Sequence, residues 1–204
     1  RTLWSFCLCA VIFFGAAGFT FQMMQQRPDL RHHFVPPEME ELFSKWKQGS
    51  HDRRKGGENL AMTAFYAQNN PRVGVMTNAV SVASFGTITT ILLWNNGAIL
   101  GALAHEMNSV GKLGFLLSSI APHGVSEIGG ILVTASGGFV LAWAMIRPGR
   151  RSRSEAMRFA GRDALTLLLT GLVMILIAAP IEGFFSFNPG VPQTRERHLH
   201  RRIV

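Results

Sequence analysis

Ionisable side chains stand inside otherwise apolar stretches of this sequence, and they are the residues whose types and spacing could do chemistry. They are His105, Glu106, His123, Glu127 and Glu182. Inside a bilayer each such group costs about 2.5–3.5 kcal/mol on insertion scales, so its presence indicates a function or a buried partner. An interpretation of function therefore starts from these five residues.

His123 and Glu127 are one helical turn apart, and Glu182 follows in a later apolar stretch. Three interpretations compete: a buried hydrogen-bonded cluster that fixes helix packing, a route for an ion, proton or small solute, and a metal-dependent hydrolase. The third is the weakest because the His-Glu-x-x-His motif is missing. We predict the first, with no metal, no cofactor and no enzymatic activity. A channel or transporter pathway lined by His123, Glu127 and Glu182 is the alternative.

Small residues recur on the same helical faces as two of the histidines. On an ideal helix one arc holds His123, Glu127, Gly130, Thr134 and Gly138. A second arc holds Gly97, Gly101, His105 and Asn108. Small residues at four-residue spacing let another helix approach closely. We predict that the two faces meet, so that His105 lies close to His123, Glu127 and Glu182.

The elements that must position these residues are apolar runs. The chain is 48% hydrophobic and 16% charged, with a mean hydropathy of +0.20, which is typical of a membrane protein. The runs long enough to span a bilayer cover 3–24, 73–94, 122–146 and 164–187. Asn95-Asn96-Gly97 predicts a tight turn. His105 to Asn108 interrupts a third segment over 98–121, which we predict to be broken or re-entrant.

These runs predict an all-α integral membrane bundle of about five transmembrane helices. Residues 1–24 form the first helix, 25–72 an extracytoplasmic loop, 73–187 a helical membrane core and 188–204 a basic tail. A short amphipathic helix with Met39, Leu42, Phe43 and Trp46 on one side is predicted within the loop, on the membrane surface or capping the bundle. A separate loop over 147–162 is rich in arginine, which places it in the cytoplasm. The net charge of +8 does not indicate nucleic acid, because the basic loop at 51–57 has no interleaved aromatic residues.

Three stretches of the sequence resemble the stage II sporulation protein M family. They are Asn95-Asn96-Gly97-Ala98-Ile99-Leu100-Gly101, Ala121-Pro122-His123-Gly124-Val125-Ser126-Glu127-Ile128, and Ala179-Pro180-Ile181-Glu182-Gly183-Phe184. The resemblance covers roughly residues 65–190 and leaves most of the 25–72 loop and the tail outside. The positions that match the family pattern are Asn96, Gly97, Gly101, His123, Gly124, Glu127, Glu182 and Gly183.

The resemblance implies a multi-pass protein of the bacterial or archaeal cytoplasmic (inner) membrane. In spore formers the family member anchors and localises peptidoglycan-degrading partners. We therefore expect a scaffold whose partners are the lipid bilayer, envelope-remodelling membrane proteins and a second copy of itself. Because the chain begins at Arg1 and longer relatives carry a preceding helical segment, we also expect a fragment of a longer protein.

Overall fold

The computed structural model describes residues 2–35, 37–48 and 56–185, and these residues form helices and short connections without a β-strand. A 3₁₀ turn at Pro28–Leu30 follows the first helix. The α-helices are α1 Leu3–Gln26, α2 Arg31–Phe34, α3 Pro37–Gln48, α4 Gly56–Ala83, α5 Thr87–Ser109, α6 Leu113–Ile146 and α7 Arg153–Phe185. The predicted all-α class is confirmed.

Within the described residues, four helices are long and apolar enough to cross a membrane: Leu3–Gln26, Thr87–Ser109, Leu113–Ile146 and Arg153–Phe184. The protein is therefore a membrane protein whose helices contact the lipid bilayer. The predicted count was about five. The fifth long helix is α4, which is less apolar and contains Pro71.

Helix α6 lies at the centre and packs against α4 and α7, while α1 pairs mainly with α5. Glycines let backbones touch at these crossings. A Cβ on Gly97 or Gly101 would collide with the carbonyl of Phe13 or Ala17 on α1. A Cβ on Gly130 would lie 2.7 Å from the carbonyl oxygen of Gly171 on α7. The small residues therefore set the interhelical distances, as in other membrane bundles.

The predicted turn at Asn95–Gly97 is wrong, because these residues lie in the middle of α5. Asn96 satisfies its amide there by donating to the carbonyl of Leu92 at 2.8 Å. Position 97 requires a glycine because the backbone of α1 packs directly against it. The role of Gly97 therefore lies in helix packing and not in a turn. The chain turns instead at 84–86, where Phe85 and Gly86 have φ angles of 52° and 87°.

The segment over 98–121, predicted to be broken or re-entrant, is indeed broken, but at a different place from the one predicted. Helix α5 runs through His105 to Asn108 without a break, and the interruption comes at 110–112, where Gly111 has a φ of 72°. The two halves of the segment thus belong to two long antiparallel helices. Likewise α6 begins at Leu113 and includes Pro122, and α4 begins at Gly56, inside the stretch predicted to be a loop.

Residues 28–35 and 37–48 cover one end of the bundle and are called the cap below. Phe43 on α3 and Val35 are buried and join a core cluster with Met24, Met107 and Leu116. α3 covers the stretch predicted to be amphipathic, and Phe43 points into the bundle end. The predicted basic loop at 51–57 lies mostly, and the tail at 188–204 entirely, outside the described residues.

Candidate functional site

Three helices bring a polar cluster together inside the bundle: α4 with Asn70, α6 with His123 and Glu127, and α7 with Glu182. The Nε2 atom of His123 lies 3.6 Å from Oε2 of Glu127. Asn70 donates its amide to Oε1 of Glu127 at 2.8 Å and to Oε2 of Glu182 at 3.2 Å. One ligand atom from each of His123, Glu127 and Glu182 lies within 4.8 Å of the others. These four residues are called the polar cluster.

The polar cluster is largely screened from solvent: His123 and Asn70 are buried, and Glu127 and Glu182 are partly buried. The side chain of His123 is 5% exposed and that of Glu127 is 19% exposed. At 1.5 Å per residue, Glu127 lies about 21 Å along α6 from its first residue and about 28 Å from its last. Electrostatic interactions among its members are therefore stronger than they would be in bulk water.

A cavity of about 200 Å³ adjoins the polar cluster. Asn96, His123, Glu127 and Glu182 give it a polar side, and apolar side chains from α1, α5 and α6 line the rest. The cavity is large enough for several water molecules, each of which takes up about 30 Å³ in the liquid. Carboxylates beside an imidazole and a small polar cavity can hold a proton, bind a cation or lock three helices together.

His105 does not join the polar cluster. Its ring packs edge-on against Phe21 of α1, with ring centroids 5.7 Å apart. Its buried Nδ1 has no hydrogen-bond partner among the described residues. The predicted meeting of the two glycine faces is therefore wrong: the Gly97 and Gly101 face packs on α1, whereas the face of Gly130 and Gly138 packs on α7 and α4.

The remaining predicted packing residues lie at close approaches. A Cβ on Gly138 would meet Ser81 Cβ at 2.7 Å and the carbonyl oxygen of Asn78 at 2.9 Å, both on α4. A Cβ on Gly183 would collide with Thr63 of α4, whereas one on Gly124 would meet Ile120 of its own helix at 2.5 Å. Gly124 is thus the exception, because its neighbour is a side chain one turn away.

Sequence reasoning missed Asn70, although its amide joins the two carboxylates. The only signal was its position before Pro71 in a stretch that looked polar enough to be a loop. Its role depends on α4 packing between α6 and α7, and no local pattern contains that information.

A second charged network was also missed, at the capped end of the bundle. Glu106, whose side chain is 5% exposed, accepts hydrogen bonds from Arg31 Nε at 2.8 Å and from Lys47 Nζ at 2.6 Å. Arg31 also donates to both oxygens of Glu40, at 2.6 and 2.8 Å. Lys112 completes the network by donating to the carbonyl of Lys47 at 2.7 Å. The network ties α2 and α3 to the end of α5.

The pKa of the Glu40 carboxyl is lowered from its usual range, chiefly by these hydrogen bonds from Arg31. The same contacts raise the pKa of Arg31, so the guanidinium stays charged at every physiological pH. The Arg31–Glu40 pair is therefore ionised under ordinary conditions, and the cap is held partly by charge.

Comparison with protein families gives a match over most of the chain. The family model described as "SpoIIM: Stage II sporulation protein M" matches residues 5–187. The matched range includes the polar cluster and the cap, and it begins in α1, well before the point at which the sequence resemblance starts. Comparison with curated proteins and with solved structures gives no match.

Proposed function

The chain belongs to the stage II sporulation protein M family, and from this premise we propose that it is a membrane scaffold. In this role it anchors proteins that remodel the cell envelope and its peptidoglycan, and it carries out no catalysis itself. We assign it to the cytoplasmic (inner) membrane of a bacterium or archaeon, as a multi-pass protein that associates with partner proteins and with further copies of itself.

The observation that carries this proposal is the fixed cap. Arg31 and Lys47 hold the cap to Glu106, and Phe43 fills the end of the bundle. A cap held by both charge and apolar packing keeps its outer surface in one orientation. Such a surface suits the docking of a partner, because little conformational freedom is lost on binding.

The proposed orientation turns the cap toward the peptidoglycan. If α1, α4, α5 and α6 each cross the bilayer, the cap and the loop after α6 lie on opposite sides. That loop carries Arg147, Arg150, Arg151 and Arg153, which favour the cytoplasmic side. The cap then faces outward, where envelope-remodelling partners act.

The scaffold proposal is tested by partner localisation in the source organism. A strain that lacks the protein is complemented with variants, and a fluorescently labelled peptidoglycan-remodelling protein is imaged. Glu106→Gln removes the charge that holds the cap and should disperse the label. Glu155→Gln is the matched control, because Glu155 is exposed at the opposite end of the bundle and hydrogen-bonds only locally to Ser152. Normal localisation with a Glu106→Gln protein whose cap is detached would refute the scaffold role.

A second function is favoured by the cavity beside the polar cluster: a route for an ion, a proton or a small solute. Protonatable side chains near the middle of a membrane bundle form such routes in pumps and transporters. In this case purified protein in liposomes should carry flux, and Glu127→Gln should abolish the flux while the fold and partner recruitment stay intact. Absence of flux in the parent protein would exclude this candidate.

A further inference from the structure

We propose that the polar cluster is a binding site for one divalent transition-metal ion of the class of Zn²⁺, with His123, Glu127 and Glu182 as its ligands. A metal site here departs from the sequence-based expectation of none, because spacing alone does not bring Glu182 and Asn70 to the helical turn that holds His123. The site is independent of the scaffold role: either can hold without the other.

The distances fit this class of ion. Zinc binds histidine nitrogen and carboxylate oxygen at about 2.0–2.2 Å in tetrahedral geometry, which places two ligand atoms about 3.3–3.6 Å apart. Nε2 of His123 and Oε2 of Glu127 are 3.6 Å apart. The three ligand atoms lie within 4.8 Å of one another, and binding of the ion would draw them closer together.

Asn70 occupies the position of an orienting residue. Its amide donates to Oε1 of Glu127, which leaves Oε2 free to face His123. It also donates to Oε2 of Glu182, at 3.2 Å. Metal-binding carboxylates are commonly held by such hydrogen bonds to the oxygen that does not bind the metal.

Charge and space favour the same assignment. Two acidic side chains beside an imidazole favour a cation, and a divalent ion brings positive charge to a site partly screened from water. One nitrogen and two oxygen ligands suit zinc and its neighbours in the first transition row better than Mg²⁺ or Ca²⁺, which prefer oxygen alone. The adjoining cavity of about 200 Å³ leaves the fourth coordination position open to water.

The test is metal binding by the purified chain in detergent, stripped with a chelator and carrying a tag without histidine. Co²⁺ is titrated in and followed by its visible absorption, and Zn²⁺ is then added as a competitor. We expect one equivalent of Co²⁺ in a nitrogen- and oxygen-ligated site, displaced by Zn²⁺. The isosteric changes Glu127→Gln and Glu182→Gln should each lower the affinity at least 100-fold. Asn70→Ala, which removes no ligand, should lower it about 10–100-fold.

Histidines outside the cluster supply the controls. His105→Gln alters a buried membrane histidine that is not a ligand, and the double change His32→Gln/His33→Gln removes two adjacent exposed histidines. Both should leave the one-equivalent site unchanged. Each variant is first checked for a parent-like melting temperature without metal. Binding that is absent from the folded parent, that persists in Glu127→Gln, or that disappears with His32 and His33 would overturn the assignment.

Discussion

Replacing Gly138 by alanine should destabilise the protein, whereas the same change at Gly18 should not. Gly138 lies where α6 crosses α4: a Cβ there would be 2.7 Å from Ser81 Cβ and 2.9 Å from the carbonyl oxygen of Asn78. Both distances are shorter than a van der Waals contact, so α4 and α6 would have to move apart. Gly18 on α1 is exposed, and its added Cβ would meet no atom within 4 Å.

The magnitude has three parts. Overpacking of a tight contact costs about 1–3 kcal/mol. Separation of α4 from α6 also strains the hydrogen bond from Asn78 to the carbonyl of Thr134, now 2.9 Å long, whose loss would cost about 0.5–1.5 kcal/mol. The higher helix propensity of alanine offsets about 0.5–1 kcal/mol of this loss. The net effect at Gly138 is a loss of about 0.5–4 kcal/mol, whereas Gly18→Ala gives only the stabilisation from helix propensity.

The assay is unfolding in detergent micelles, followed by tryptophan fluorescence during heating. For a chain of this length, about 1 kcal/mol corresponds to about 2–4 °C in Tm. Gly138→Ala should therefore lower the Tm by roughly 1–16 °C, and Gly138→Leu by more. Gly18→Ala and Gly18→Leu should leave it unchanged or slightly higher. Equal Tm values for the two alanine variants would show that α6 does not pack on α4 through Gly138.

Three further predictions follow from the polar cluster, the cap and the topology. Glu127→Ala should lower stability markedly, because breaking a buried pair typically costs about 3–5 kcal/mol. In metal-free protein Glu127→Gln should leave the stability of the fold nearly unchanged. Equal losses of stability for the two variants in thermal unfolding would contradict this. Because the folded-state pKa of Glu40 lies below its unfolded value, its pairing with Arg31 stabilises the cap above the usual glutamate pKa, and this stabilisation is lost as the pH falls toward the lowered value. As the pH is lowered, detachment of the cap should change less in Glu40→Gln than in the parent protein. The same pH profile in both proteins would refute the pairing. Single cysteines at Gly49 and Ser152 in a cysteine-free background should label from opposite sides of the membrane, and labelling from one side would refute the four crossings between Arg1 and the arginine loop.

Local patterns were sufficient for some features. The run from Leu3 to Met24 predicts its helix because about 20 apolar residues without a charge can satisfy their backbone in a bilayer only as a helix. The spacing of Met39 and Phe43 likewise predicts α3, and the intramembrane positions of His123, Glu127 and Glu182 single out the polar cluster. These features depend on neighbours along the chain, so they are visible without the fold.

Turn positions were predicted less well, because similar signals serve different purposes. Asn95-Asn96-Gly97 has the composition of a turn, yet Gly97 is small in order to admit the backbone of α1. The turn at Phe85 and Gly86 has a weaker signal but positive φ angles. A glycine lets the backbone bend and lets another helix approach, and only the position of the second helix decides which of the two occurs.

The sequence by itself determined the class of the protein, an all-α membrane protein of the stage II sporulation protein M family, and the acidic and histidine residues that form its buried site. Only the tertiary structure decided that Asn70 joins Glu127 to Glu182, that Glu106 holds the cap through Arg31 and Lys47, and that His105 packs against Phe21 instead. The physical reason is that burial of an ionisable group is a local property of an apolar run. The partner that makes the burial tolerable comes from another helix, and its identity follows from which helices are neighbours.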